Sequence, residues 1–239
     1  MSVPLWVGEL AERFWDHPGE PPPFPRDLRP VLTWRFPFLV RELKRLRVAT
    51  LRDALEEMGI RCIADEPDRA LRACLVAQCG RGIAFVDADD PEDERRFSLA
   101  HEVAHFLNDH WHPRQNAIRV LGPAAAEVFD GLRPPTVDER LCSVLRDVPL
   151  GFHVHLMARD GDGRFASPEV RASEQNADRL AFELLAPADA VQAADRADAE
   201  TELRTTFGLP FRQACEYAAV LFPPSEPPDP LVQRLRAIV

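Results

Sequence analysis

Two histidines four positions apart, with a glutamate directly after the first, are the most chemically informative feature of the sequence. His101, Glu102 and His105 form the pattern His-Glu-x-x-His. Residues four apart lie on the same face of an α-helix, so both imidazoles can bind one divalent metal ion. Nitrogen ligands in this arrangement favour zinc. The Glu102 carboxylate can reach a metal-bound water and act as its general base.

A catalytic zinc site usually has three protein ligands and one open position. Glu174 is the best candidate for the third ligand because it falls on the apolar face of a predicted later helix. That face is predicted to contain Val170, Ala177, Ala181 and Leu184. Asp178 follows one turn further on the same side, where it can accept a hydrogen bond from the outer N–H of a metal-bound histidine. Spacing alone leaves open the alternative that Glu174 is a solvated residue near the start of a helix.

Attack of such a water on a carbonyl group also needs hydrogen-bond donors for the oxyanion of the tetrahedral intermediate. His153 and His155 lie two apart in a predicted strand at 151–158, so their side chains share one face of that strand. They are the candidate oxyanion stabilisers. The alternative is that they are ordinary exposed histidines of a strand.

The histidine pair lies in a helix that is predicted to begin after Asp90, a good N-cap, and to run to about Asp109. Two apolar, β-rich runs at 71–78 and 82–88 precede it. They are joined by the short glycine-bearing segment Cys79–Arg81, which predicts a β-hairpin.

The rest of the chain predicts short helices separated by proline-rich segments. Residues 18–30 hold six prolines and predict an extended linker. A capping box at Thr50 and Asp53 predicts the start of another helix. Helices are predicted at 1–17, 51–58, 137–146, 167–186, 197–207 and 210–221. The first is expected to be amphipathic, with its apolar side formed by Leu5, Leu10, Phe14 and Trp15.

The composition limits the classes of function. The chain has 239 residues, of which 46% are apolar, and this suits one domain with small appendages. The 29 basic and 39 acidic residues give a net charge of −10, which disfavours direct binding of nucleic acid. Five scattered cysteines favour reduced thiols and a cytoplasmic location. The absence of a long apolar run predicts no membrane span.

The pattern of the histidine motif followed by Glu174-x-x-Ala177-Asp178-x-x-Ala181-x-x-Leu184-Leu185-x-Pro187 resembles the ImmA/IrrE family of metallopeptidases. The resemblance covers about residues 48–222. It implies an α+β fold in which a small, mainly antiparallel sheet packs on a zincin-like helical core with short C-terminal helices. It also implies a Zn²⁺ ion held by His101, His105 and Glu174, with Glu102 as the base. The family resemblance further implies a protein substrate, often a helix-turn-helix transcriptional repressor whose cleavage starts a stress or mobile-element response.

The resemblance also suggests how the chain is divided. Residues 1–47 are interpreted as an N-terminal arm with a proline-rich linker, 48–222 as the metallopeptidase domain and 223–239 as a tail. His105 and Glu174 are 69 positions apart in the sequence, a wider spacing than the family usually has. Residues 110–167 are therefore interpreted as an insertion that shapes or covers the substrate groove.

The sequence thus predicts a zinc-dependent metalloendopeptidase, with two alternatives. The protein could instead be a non-proteolytic interaction module with a structural or regulatory zinc ion, which a fourth protein ligand would favour. It could also be a latent protease whose arm or insertion covers the cleft.

Overall fold

The computed structural model describes residues 3–16, 22–60, 67–137, 153–158 and 168–223, and these form an α+β fold. A four-stranded sheet supports the helices that carry the histidine motif and Glu174. The helices are α1 (Leu5–Trp15), α2 (Arg29–Arg35), α3 (Val48–Glu57), α4 (Glu92–His105), α5 (His112–Leu121), α6 (Ala125–Phe129), α7 (Pro168–Leu185), α8 (Arg196–Thr205) and α9 (Phe211–Leu221). The strands are β1 (Phe38–Leu43), β2 (Leu71–Gln78), β3 (Arg81–Asp87) and β4 (His153–Ala158).

The sheet is mixed, with the strand order β1-β3-β2-β4. Strands β2 and β3 form the predicted antiparallel hairpin, and β4 adds antiparallel to the other edge of β2. Strand β1 pairs with β3 in parallel. The hairpin turn is one residue shorter than predicted, because Arg81 already belongs to β3. Cys79 (φ 52°) and Gly80 (φ 71°) make the turn, and two consecutive positive φ values match the twist of a tight hairpin.

Helix α4 begins one residue later than predicted, with Pro91 rather than Asp90 as its N-cap. Three acidic side chains lie in its first turn, where they interact favourably with the helix dipole. The predicted end near Asp109 is wrong. The helix changes at Phe106 into a π-helical turn, Phe106–Trp111, and then continues as α5. The Leu107 carbonyl accepts a hydrogen bond from the His112 N–H, five residues on.

Residues that precede position 48 share a core with the histidine helix. Helix α1 is shorter than predicted and buries Val7 and Ala11 together with Phe14 and Trp15. Leu5, expected on the buried side, is 79% exposed. The Trp15 indole N–H donates to the Leu184 carbonyl of α7 over 3.0 Å. Strand β1 pairs with β3 in the sheet. Both α1 and β1 therefore pack against elements that come later in the chain.

Two helix starts also differ from the predicted ones. Helix α3 begins at Val48 because Arg47, not Thr50, is its N-cap. Thr50 is the third helical residue, and its hydroxyl accepts the Arg47 N–H over 2.8 Å. Helix α2 begins at Arg29, inside the segment expected to be extended.

Parts of the predicted insertion belong to the fold. Helices α5 and α6 follow the π-helical turn, and β4 completes the sheet. The predicted helix at 137–146 lies outside the described residues apart from its first position. None of the helices in the described part of the chain is long and apolar enough to cross a membrane.

A buried acid–phenol contact fixes α7 against α9. The Tyr217 hydroxyl donates a hydrogen bond to the Glu183 carboxylate, and the Ala188 N–H donates to the same carboxylate over 3.2 Å. The Tyr217 ring stacks on Phe182, with centroids 4.5 Å apart. Burial raises the pKa of Glu183, and these hydrogen bonds partly offset the shift. The contact therefore secures the helix that carries Glu174.

Replacing Tyr217 by phenylalanine removes the hydroxyl donor and leaves a buried carboxylate oxygen with one partner fewer. We expect Tyr217→Phe to lower the free energy of unfolding by about 1–3 kcal/mol, measured by urea denaturation. Thr201→Val is the control, because it removes an exposed hydroxyl that donates to the Ala197 carbonyl of its own helix. It should change the free energy by less than about 0.5 kcal/mol. Equal effects of the two variants would contradict a role for the buried contact.

Candidate metal centre

Helix α4 presents both histidines of the motif toward one point. The Nε2 atoms of His101 and His105 lie 3.1 Å apart, and the two ring centroids are 4.8 Å apart. Both side chains are almost fully buried, with 3% and 1% exposure. One helical turn separates the residues, as their spacing predicts.

Helix α7 brings Glu174 to the same point. Its Oε2 lies 3.4 Å from His101 Nε2, and its Oε1 lies 3.6 Å from His105 Nε2. Ligand atoms of the three residues all lie within 4.8 Å of one another, so the group could hold a metal ion. The Glu174 side chain is 21% exposed, which opens the group to solvent on the α7 side.

Each histidine contacts a carboxylate through its other ring nitrogen. His101 Nδ1 lies 2.9 Å from Asp178 Oδ1, and His105 Nδ1 lies 2.6 Å from Asp109 Oδ2. A carboxylate accepts hydrogen bonds, so each Nδ1 is assigned the ring hydrogen. In the neutral rings both Nε2 lone pairs then face each other and Glu174. Two nitrogen lone pairs and a carboxylate that point to one place form a set of ligands that fits a bound cation.

Close packing of α4 and α7 makes this arrangement possible. Small residues of both helices are buried in one core, including Ala100 and Ala104 of α4 and Ala177 and Ala181 of α7. Phe97 and Phe182 also meet, with ring centroids 5.4 Å apart. The face of α7 is narrower than predicted from the sequence, because Val170 is 43% exposed.

Glu102 is fully buried beside the first histidine. Glu102 directly follows His101 on α4, and its negative charge raises the pKa of the His101 imidazole. Glu102 is not one of the three residues whose ligand atoms converge. This placement suits a residue that acts on a ligand of the metal rather than on the metal itself.

The carboxylates around His101 favour a positive charge on it. Burial lowers the pKa of the His101 imidazole, whereas hydrogen bonds to Asp178 and Glu174 and the charges of Asp178 and Glu102 raise it. The net result is a pKa of about 9. The position is therefore suited to hold a proton or a metal ion, and the two compete for the same nitrogen.

Asp109 is the residue of this site that the sequence analysis missed. It lies four residues after His105, a spacing that brings two side chains together on a continuous helix. This spacing is the signal in the sequence that could have found Asp109. The π-helical turn extends the helix past this point and keeps Asp109 beside the histidine.

The structure places the two candidate oxyanion stabilisers on β4, opposite β2. His153 pairs in register with Ala77, and His155 pairs with Leu75. Their side chains lie outside what the structure describes, so their suggested role stays a prediction.

No family model matches this sequence, and comparisons with curated proteins and with solved structures find no similar protein. The resemblance to the ImmA/IrrE family therefore rests on the motif residues alone.

The geometry predicts one divalent metal ion per chain at this group. His105→Ala and Glu174→Gln should each weaken binding by more than the roughly 10–100-fold that loss of an outer hydrogen-bond partner costs. Elemental analysis after dialysis and competition with a chelator measure this. His112→Ala is the control, because His112 lies on α5 outside the group. Full metal retention by His105→Ala would show that the metal binds elsewhere.

Metal affinity should also rise with pH. A metal ion binds the neutral His101 ring. The pKa of about 9 means that at neutral pH the ring carries a second proton, which the metal ion must displace. Between about pH 6 and pH 8 the apparent affinity should increase by about tenfold per pH unit. Titration with a competing chelator at each pH tests this expectation, and an affinity independent of pH would contradict it.

Proposed function

We propose that this protein is a zinc-dependent metalloendopeptidase. The observation that carries the proposal is the convergence of His101 and His105 from one helix with Glu174 from another. A buried carboxylate, Glu102, lies beside this group without belonging to it. Two imidazoles and one carboxylate are the ligand set of several hydrolytic zinc sites.

Zinc is the metal that this donor set fits best. Imidazole nitrogen and carboxylate oxygen suit zinc among the common divalent ions, and no thiolate belongs to the group. The hydrogen bonds from the rings to Asp178 and Asp109 fix the ring orientation that a small tetrahedral ion requires.

The three residues would hold the ion, and Glu102 would serve as the proton acceptor. A bound zinc ion would supply a water of pKa near 7 and polarise the scissile carbonyl. The Glu102 carboxylate takes the proton of the attacking water and passes it to the leaving amine. Its complete burial strengthens its electrostatic interactions at the site.

The number of ligands supports an enzyme over a structural zinc module. The group contains three donor residues within the described part of the chain. Three ligands leave a fourth tetrahedral position for water or substrate, whereas structural zinc sites are usually closed by four protein ligands. The Glu174 side chain is 21% exposed, so solvent reaches at least one of the three donor residues.

The substrate part of the proposal rests on the family resemblance. It suggests a cytoplasmic protein substrate, such as a helix-turn-helix repressor whose cleavage starts a stress or mobile-element response. The net charge of −10 supports a protein partner rather than direct contact with nucleic acid.

Glu102→Gln separates catalysis from metal binding. The variant keeps the shape of the side chain and removes the base, so zinc content and thermal stability should stay near wild type. Hydrolysis should fall by at least about 100-fold. The measurement is mass spectrometry of fragments after incubation with the helix-turn-helix repressor encoded nearest to this gene.

The matched control is Glu92→Gln, on the same helix, because the Glu92 side chain is 77% exposed. It should cleave like wild type. If Glu102→Gln cleaves as fast as wild type, the metal-water mechanism is wrong. If the wild type and Glu102→Gln bind and regulate the repressor equally while leaving it intact, the non-proteolytic interaction module replaces this proposal.

A further inference from the structure

We infer that Asp109, held by Ser173, is a positioning residue that fixes the orientation of His105 and so sets the metal affinity of the site. This inference rests on the proposed metal site. Asp109 contacts the outer nitrogen of His105 and is not one of the three residues whose ligand atoms converge, so it would act through the histidine.

Asp109 accepts three hydrogen bonds from side chains around it. Its Oδ2 lies 2.6 Å from His105 Nδ1 and 2.9 Å from the Ser173 hydroxyl, which donates to it. Its Oδ1 accepts the Asn108 amide over 3.0 Å. The side chain is only 19% exposed, so little water competes for these bonds. The carboxylate is held on both of its oxygens and has one orientation relative to the ring.

Asp109 lies in the π-helical turn that directly follows His105. The turn continues the helix past Asp109, so the spacing of four residues keeps its carboxylate beside the His105 ring. Phe106, Leu107 and His110 anchor this turn in the interior. His110 Nε2 also accepts the Gly80 N–H over 3.1 Å, which ties the turn to the β2–β3 hairpin.

Ser173 gives Asp109 a connection to the other helix of the site. It directly precedes Glu174, so the bond to Asp109 joins the two helices beside the metal group. The same helix supplies Asp178 to His101. Helix α7 therefore controls the outer nitrogen of one histidine directly and that of the other through Asp109.

The chemical consequence is a stronger ligand. A carboxylate that accepts the outer N–H raises the basicity of the opposite ring nitrogen and removes the alternative tautomer. Loss of such a partner typically costs about 10–100-fold in metal affinity. Asp109→Ala should therefore weaken zinc binding by about this factor without removing a ligand.

The test is zinc affinity by chelator competition, combined with the visible absorption of the cobalt-substituted protein. Asp109→Ala should lower zinc affinity by about 10–100-fold and alter the cobalt spectrum. Asp109→Asn keeps an acceptor oxygen and should recover part of the affinity. Ser173→Ala should lower affinity by a smaller factor. Asn108→Ala is the control, because Asn108 donates to Oδ1 and not to the Oδ2 atom that contacts His105. It should lower affinity less than Ser173→Ala does.

A double-mutant cycle decides whether Ser173 acts through Asp109. If it does, Asp109→Ala with Ser173→Ala should weaken zinc binding no more than Asp109→Ala alone. Additive losses would overturn the linkage. Ser173→Ala keeps the test valid if Asp109→Ala folds poorly, and thermal unfolding of the metal-free variants shows whether either does.

The results that would overturn the role of Asp109 differ from those that would overturn the metal site. Wild-type zinc affinity in both Asp109→Ala and Ser173→Ala, together with loss of zinc in His105→Ala, would overturn the positioning role alone. Retention of zinc by His105→Ala would instead overturn the site itself.

Discussion

The packing of α4 against α7 brings two imidazoles and the carboxylate of Glu174 together in a largely buried space. Burial of so many polar groups is costly unless each is paired. The outer nitrogens meet this requirement through Asp178 and Asp109. The inner nitrogens lie 3.1 Å apart and need a proton or a metal ion between them and Glu174. The site is thus organised around a positive charge.

The remaining elements keep these two helices in place. The mixed sheet lies behind α4, and α1 is fastened to α7 by the hydrogen bond from Trp15 to Leu184. The contact between Tyr217 and Glu183 secures α7 on another side. Elements from both ends of the described chain therefore contribute to the geometry of a site whose ligands come from two helices.

The sequence predicted the grouping of His101, His105 and Glu174 better than it predicted the pairing and packing of the fold. The spacing of His101 and His105 requires only a local helix, and the apolar face of α7 indicated that Glu174 and Asp178 point inward. Both inferences depend on periodicity within one element. Asp109 was missed although its spacing of four residues from His105 is a local signal of the same kind.

Long-range features were harder to predict, because periodicity describes only one element at a time. The parallel pairing of β1 with β3 joins segments about 40 positions apart, and nothing local in either strand specifies it. The buried face of α1 was misjudged because the exposed Leu5 has the same apolar character as the buried Val7. Tertiary contacts, not hydropathy, select which of them is covered.

The ligand set of the metal is tested most directly by zinc K-edge X-ray absorption of the zinc-loaded protein. The account predicts imidazole scattering from two histidine nitrogens at about 2.0–2.1 Å and oxygen neighbours at about 2.0–2.2 Å. Sulfur at about 2.3 Å, or a zinc shell without imidazole, would contradict it.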